Sequence, residues 1–200
     1  MSSKIETRYR LHDCERLFQG DILQDFVYPE RVEVIKTKIR VKKRYLPYFV
    51  VLTQDCDLEQ DYKSRTFPRK TQDAYLQSIL VCPAYQAQKL RNGNHLEDLD
   101  LKMQYQNSDK WSDIKDDKNP RYQYLPEVQN ENYHVPELTI DFKHYYCIPH
   151  DLIYEDFQKH YLASINELFR ESLSQRFAQY ISRIGLPEIE NGTCSTPCHD

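Results

Sequence analysis

Apolar and polar positions alternate most regularly between residues 31 and 44, where Val32, Val34, Ile39 and Val41 are separated by mostly charged side chains. A period of two marks strands with one exposed face, so RVEVIKTKIRVKKR predicts a two-stranded ribbon, entered from an extended segment that opens at Gly20-Asp21-Ile22-Leu23. The pattern then changes. Tyr48 to Leu52 is a continuous apolar run rich in β-branched and aromatic residues, which fits a strand buried on both faces at the centre of a sheet. After a loop from about 59 to 73, SILVCPAY predicts a second buried strand, which Pro83 ends or confines to an edge. Ala87 to Leu90 and Leu96 to Met103 fit short helices on either side of the breaker Asn92-Gly93-Asn94. Tyr122 to Leu125, Leu138 to Phe142 and Tyr145 to Ile148 fit three more short strands, punctuated by Pro126, Pro136 and Pro149.

Near the end the period shifts to that of a helix. Ile165, Phe169, Leu173, Phe177 and Ile181 recur every four residues, joined by Leu168 and Ile184, while Arg170, Glu171, Gln175 and Gln179 form the polar side. Ser164 and Glu167 have the spacing of a capping box, and Gly185 and Pro187 stop the helix, which is therefore expected over about 164–184. Burying its stripe is worth roughly 1.5–3 kcal/mol per large side chain, so it docks on the sheet. The fold class expected is a β-rich α+β domain over 1–190, a small barrel or antiparallel sheet with a docked C-terminal amphipathic helix, followed by a flexible tail over 191–200.

Composition narrows the setting. Two hundred residues support one sizeable core, and 16 Tyr with 8 Phe supply much of it. A net charge of -4 argues against coating nucleic acid or an anionic membrane by bulk charge. No stretch approaches the roughly 20 apolar residues of a membrane span, and the first residues lack the apolar core of a signal peptide, so a cytoplasmic location and no membrane partner are expected. In that compartment the six cysteines stay reduced. Cys82 and Cys147 lie inside apolar strand-like runs and Cys56 follows one, which suggests core packing for all three.

Against the acidic background, Lys36, Lys38, Arg40, Lys42, Lys43 and Arg44 crowd one short segment. A ribbon with this charge suits a phosphate backbone, with Tyr45 and Tyr48 available for stacking on bases. The alternative is an edge ribbon that Lys and Arg protect from aggregation. The densest acidic cluster is Asp55, Asp57, Glu59 and Asp61 around Cys56. Carboxylates suit a hard divalent cation, but no second carboxylate set accompanies them and a solvated loop is the simpler account, so no metal site is assigned. The same carboxylates disfavour a thiolate at Cys56, which would need a helix N-terminus or a histidine such as His144 or His150 beside it. Cys194, Cys198 and His199, with His160 as a distant fourth, fall short of two paired zinc ligands. With four glycines, no Gly-rich phosphate loop and no G-x-S-x-G or H-E-x-x-H string, ATPase and common hydrolase classes drop out and no cofactor is assigned.

The strings GDIL, VVLTQDCDL, SILVCPAY and LSQRFAQYISRIGLP, in that order, resemble a group of uncharacterised bacterial proteins. The resemblance rests on Val51 to Leu58 and on Phe177 to Pro187 and brings no activity with it. More distantly, Gly20-Asp21-Ile22, Pro47 to Thr53 and Val81-Cys82-Pro83 are similar in order to the MazF/PemK toxins, which are small SH3-like barrels that cleave RNA. In those toxins an Arg precedes the proline at Pro47; here that position is Leu46 and the closest cation is Arg44. With the charged ribbon, the resemblance points to a nucleic-acid-binding protein that sets Lys36, Lys38, Arg40, Lys42 and Lys43, and the loop after Thr53, on RNA or DNA. If it cleaves, Arg44 stabilises the charge that develops on phosphorus, and Thr53 or Asp55 orients the attacking hydroxyl. The competing expectation is a non-enzymatic regulatory protein that binds a protein partner. The oligomeric state is left open.

Overall fold

The apolar run at 48–52 ends up where its composition puts it, at the centre of a sheet covered on both faces. A computed structural model describes residues 8–68 and 70–183. In chain order the elements are β1 (Tyr9–Arg10), β2 (Asp21–Ile35), β3 (Lys38–Val51), α1 (Asp55–Thr66), β4 (Ser78–Gln86), α2 (Ala87–Asn92), α3 (Ser108–Lys115), β5 (Tyr122–Leu125), β6 (Val128–Gln129) and β7 (His134–Val135). They continue with β8 (Leu138–Asp141), β9 (Tyr146–Pro149), α4 (His150–His160), β10 (Tyr161–Ile165) and α5 (Glu167–Ile181).

Eight strands form one antiparallel sheet in the order β1-β10-β2-β3-β4-β8-β5, with β9 also on β4. The sheet curls strongly into a half-barrel, and the protein is a mixed α+β fold. Alternation along the buried strands feeds two cores. Ile22, Val50, Cys82 and Ala84 face a cluster completed by Leu173, Phe177 and Tyr180 of α5. Leu23, Phe49, Val51, Ile79 and Val81 face the other, completed by Leu58 of α1 and Ile153 and Phe157 of α4. An unbroken apolar run is what a strand between two such layers requires.

Several expectations are corrected. The C-terminal helix starts at Glu167, capped by the Asn166 side chain, because Ser164 belongs to β10 and donates its hydroxyl to the buried Asp21 (2.5 Å). Its buried side is Leu173, Phe177 and Tyr180; Leu168 and Ile181 are exposed. Ile184, Gly185 and Pro187, like the 191–200 tail with Cys194, Cys198 and His199, lie outside the described residues.

Pro83 neither ends β4 nor lies at an edge; it pairs with Phe49 inside the strand. It is tolerated because β9 pairs with Ser78 to Val81 and β8 with Ala84 to Gln86, so the missing N–H falls in the gap where the partner changes. The expected loop at 59–73 is largely α1, which buries one large apolar residue, Leu58, beside Asp61 and Ser64. Of the three cysteines expected in the core, only Cys82 is buried, while Cys56 and Cys147 are exposed. Cys147 precedes the inward-facing Ile148 on β9, and alternation turns it outward. No helix among the described residues is long and apolar enough to cross a membrane.

Candidate functional site

The motif after β3 forms a corner. Thr53 closes the β3–β4 pair: its Oγ1 accepts the Leu80 N–H (2.7 Å), and its own N–H donates to the Leu80 carbonyl (3.2 Å). The chain then turns into α1, and Asp55 in its first turn meets two arginines from distant segments. Its Oδ1 lies 3.1 Å from Arg16 Nη1 and its Oδ2 3.5 Å from Arg170 Nη1. Burial opposes ionisation of Asp55, but the Arg16 hydrogen bond and the charges of Arg16 and Arg170 outweigh it and hold the carboxyl below its ordinary pKa. Beside this corner an open cleft of about 430 Å³ runs between Gln54 and Asp57 on one side and Ser174 and Phe177 of α5 on the other.

The acidic residues expected to cluster are dispersed by the helix. Asp55 faces its arginines, Glu59 pairs with Lys63 (2.5 Å), and Asp61 is buried against Arg65 (2.9 Å) and His150 (2.9 Å). Among the described residues no group of three or more His, Cys, Asp or Glu side chains is placed to hold a metal ion. The Cys56 thiol contacts the Gln54 and Asp57 side chains (3.6 and 3.7 Å), and His144 Nε2 lies 3.7 Å from Asp141 Oδ2. His160 hydrogen-bonds the Gln24 carbonyl (2.9 Å).

Arg44 does not join Thr53 and Asp55. It lies seven strand residues, about 23 Å, before the end of β3, and Glu30 takes up its guanidinium through a second contact in addition to the 3.0 Å Nε hydrogen bond. The three residues expected to act together therefore occupy two places. A serine, a histidine and an aspartate do converge elsewhere, but in an order that prevents nucleophilic chemistry. His12 Nδ1 accepts the Cys14 N–H (2.9 Å), so Nε2 carries the proton and donates to Asp21 Oδ1 (3.0 Å), the oxygen that Ser164 also donates to. The aspartate stands between serine and histidine, so His12 cannot take the serine proton. The cluster ties the N-terminal segment to the sheet.

The cations on the ribbon are arranged more coherently. Beyond the Pro29–Lys43 pair the two strands leave the body, and nearly every residue from 31 to 43 is exposed. Directly paired residues share a face, and the register pairs Arg31 with Lys42, Glu33 with Arg40 and Ile35 with Lys38 on one side. The other side pairs Val32 with Val41 and Val34 with Ile39. Arg31, Lys38, Arg40 and Lys42 thus share one face, on which Glu33 contacts Arg31 (3.1 Å) and Glu30 reaches Lys42 (3.8 Å). Lys43 falls on the aliphatic face, and Lys36 occupies the two-residue turn with φ +57°. Arg31 lies outside the dense cationic run, so only the strand register shows that it belongs with Lys38, Arg40 and Lys42. Compared with known proteins, the chain matches no family model, no curated protein and no solved structure.

Proposed function

We propose that the protein binds nucleic acid through the cationic face of the β2–β3 arm and does not cleave it. The observation that carries this reading is the register that gathers Arg31, Lys38, Arg40 and Lys42 on one face of a free ribbon. Such a face fits along a phosphate backbone or into a groove, as β-ribbon readers do. A cytosolic bacterial setting and kinship with the MazF/PemK barrels are part of the proposal, supported by the curled antiparallel sheet and by the order of the GDI start, the Pro47 to Thr53 run and the Val81-Cys82-Pro83 segment. The neutralisation of Arg44 by Glu30, far from Thr53 and Asp55, weighs against a nuclease.

The test is binding of the intact chain to mixed single-stranded and duplex RNA and DNA across a salt series, with oligonucleotide length read afterwards. Four phosphate contacts predict a log–log salt slope of about -3.6 on duplex, which is about 150-fold in affinity between 50 and 200 mM. Lys38→Gln, Arg40→Gln and Lys42→Gln together should flatten the slope to about -0.9. Absence of binding at low salt contradicts the reading, and shortened products contradict the non-cleaving part of it.

One observation favours a second reading, that the arm grips a protein. Val34 and Ile39 are each 73 % exposed and Val32 61 %, an aliphatic face that a purely electrostatic arm does not need. Binding that resists salt and is lost in Val34→Ser with Ile39→Ser would select it.

A further inference from the structure

A cavity of about 250 Å³ opens beside β3 and β4, under the loop that follows α2. Tyr85, buried, and Tyr48, half-buried, line it together with the exposed Tyr45. The loop is brought over them by Gly93, which caps α2 at φ +77°, and whose carbonyl accepts the Met103 N–H (2.9 Å). A Cβ at this position would fall 2.2 Å from the Met103 carbonyl oxygen, so the close return of the chain needs glycine.

This return delivers His95. Its ring lies 4.8 Å from that of Tyr85, the residue is 9 % exposed, and neither ring nitrogen has a hydrogen-bond partner among the described residues. Burial pushes its pKa down to about 4, so at neutral pH the ring is uncharged, with one N–H and one free lone pair. A buried polar group without a partner costs free energy that a ligand supplying the bond recovers. Charge selects the kind of ligand. Asp25, Glu97 and Asp98 line the cavity against one cation, Lys89, and Asp25 is fixed by the Tyr45 hydroxyl (2.5 Å).

We infer that this cavity binds a guanidinium or primary alkylammonium group. The tyrosine faces hold the cation, the carboxylates balance its charge, and the His95 lone pair accepts one of its N–H bonds. A quaternary ammonium would satisfy the rings and carboxylates but leave the lone pair empty. The site lies apart from the cationic face of the arm and does not depend on what that face binds.

Isothermal titration calorimetry of the full chain tests it with three probes: agmatine, N-acetylarginine methylamide and choline. Agmatine or the blocked arginine should bind saturably, with choline about tenfold weaker or more. Tighter agmatine indicates a free amine as the natural ligand, and tighter blocked arginine an arginine side chain of a peptide; either supports the inference. Glu97 and Asp98 are exposed, so Glu97→Gln with Asp98→Asn leaves the fold intact and should weaken binding about five- to tenfold. His95→Phe should remove the preference over choline. The inference is overturned if neither guanidinium probe gives saturable heat at millimolar concentration, if choline binds as tightly, or if the double variant binds like the parent.

Discussion

Replacing Asp141 with Asn isolates one buried charge on which the end of the sheet depends. Asp141 is fully buried at the end of β8, and Arg121 reaches it from the edge of β5 with two hydrogen bonds, Nε to Oδ1 (2.8 Å) and Nη2 to Oδ2 (2.6 Å). Oδ1 also accepts the Lys143 N–H (3.0 Å). An amide keeps one acceptor but turns the other oxygen into a donor that faces a guanidinium donor. Arg121, whose side chain is 24 % exposed, then holds a largely buried charge with no counterion. Breaking a buried pair from one side costs about 3–5 kcal/mol, and the partial exposure of Arg121 puts the loss near the lower end. For a domain of this size that lowers Tm by about 6–12 °C. Urea unfolding followed by circular dichroism measures it, with an unchanged m-value as the sign that the unfolded state is unaltered. Arg121→Met should cost at least as much, because the orphaned carboxylate is fully buried, whereas Arg121→Met with Asp141→Leu should recover most of the loss. A loss below about 1 kcal/mol for Asp141→Asn would refute the argument that this charge depends on its partner.

Stability should fall as pH is lowered from about 6.5 towards 4. The folded pKa of His95 lies at about 4 and the unfolded value near 6.5, so the unfolded chain takes up the proton first. His95→Gln should flatten that part of the urea midpoint against pH, and an identical profile would contradict the assignment. Gly93→Ala should cost more than about 1 kcal/mol, since it adds a Cβ at φ +77° against the Met103 carbonyl; an unchanged midpoint would contradict it. Iodoacetamide should label Cys56 and Cys147 in the folded chain and Cys82 only after unfolding, and peptide mapping that finds Cys147 protected would contradict the orientation of β9.

The strands were legible where a local period carried the information. The alternation in RVEVIKTKIRVKKR needed only its own register, and the run at 48–52 announced a strand covered on both sides. The helix boundary near 164 was not legible locally, because Ser164 has the capping spacing but spends its hydroxyl on Asp21, 143 residues away. α1 was hidden for a related reason. Apart from Leu58, its buried residues are Asp61 and Ser64; Asp61 Oδ1 accepts from the Leu76 N–H and Arg65, and its Oδ2 lies 2.9 Å from His150 Nε2, partners that only folding assembles. The same limit applies to sites. Run length found Lys38, Arg40 and Lys42, but Arg31 joins them through cross-strand pairing. Nothing near Arg44 in sequence showed that Glu30 would neutralise it, and nothing local linked His95 to Tyr85.

The most direct test of the arm's role is NMR of the labelled protein titrated with a short duplex at low salt, following the Arg31 and Arg40 Nε–H signals and the Val32, Val34, Ile39 and Val41 methyl groups. Nucleic-acid binding by the cationic face predicts saturable shifts of the arginine signals, reversed by added salt, while the methyl groups on the opposite face move little. Unmoved arginine signals, or shifts confined to the methyl face, would contradict it.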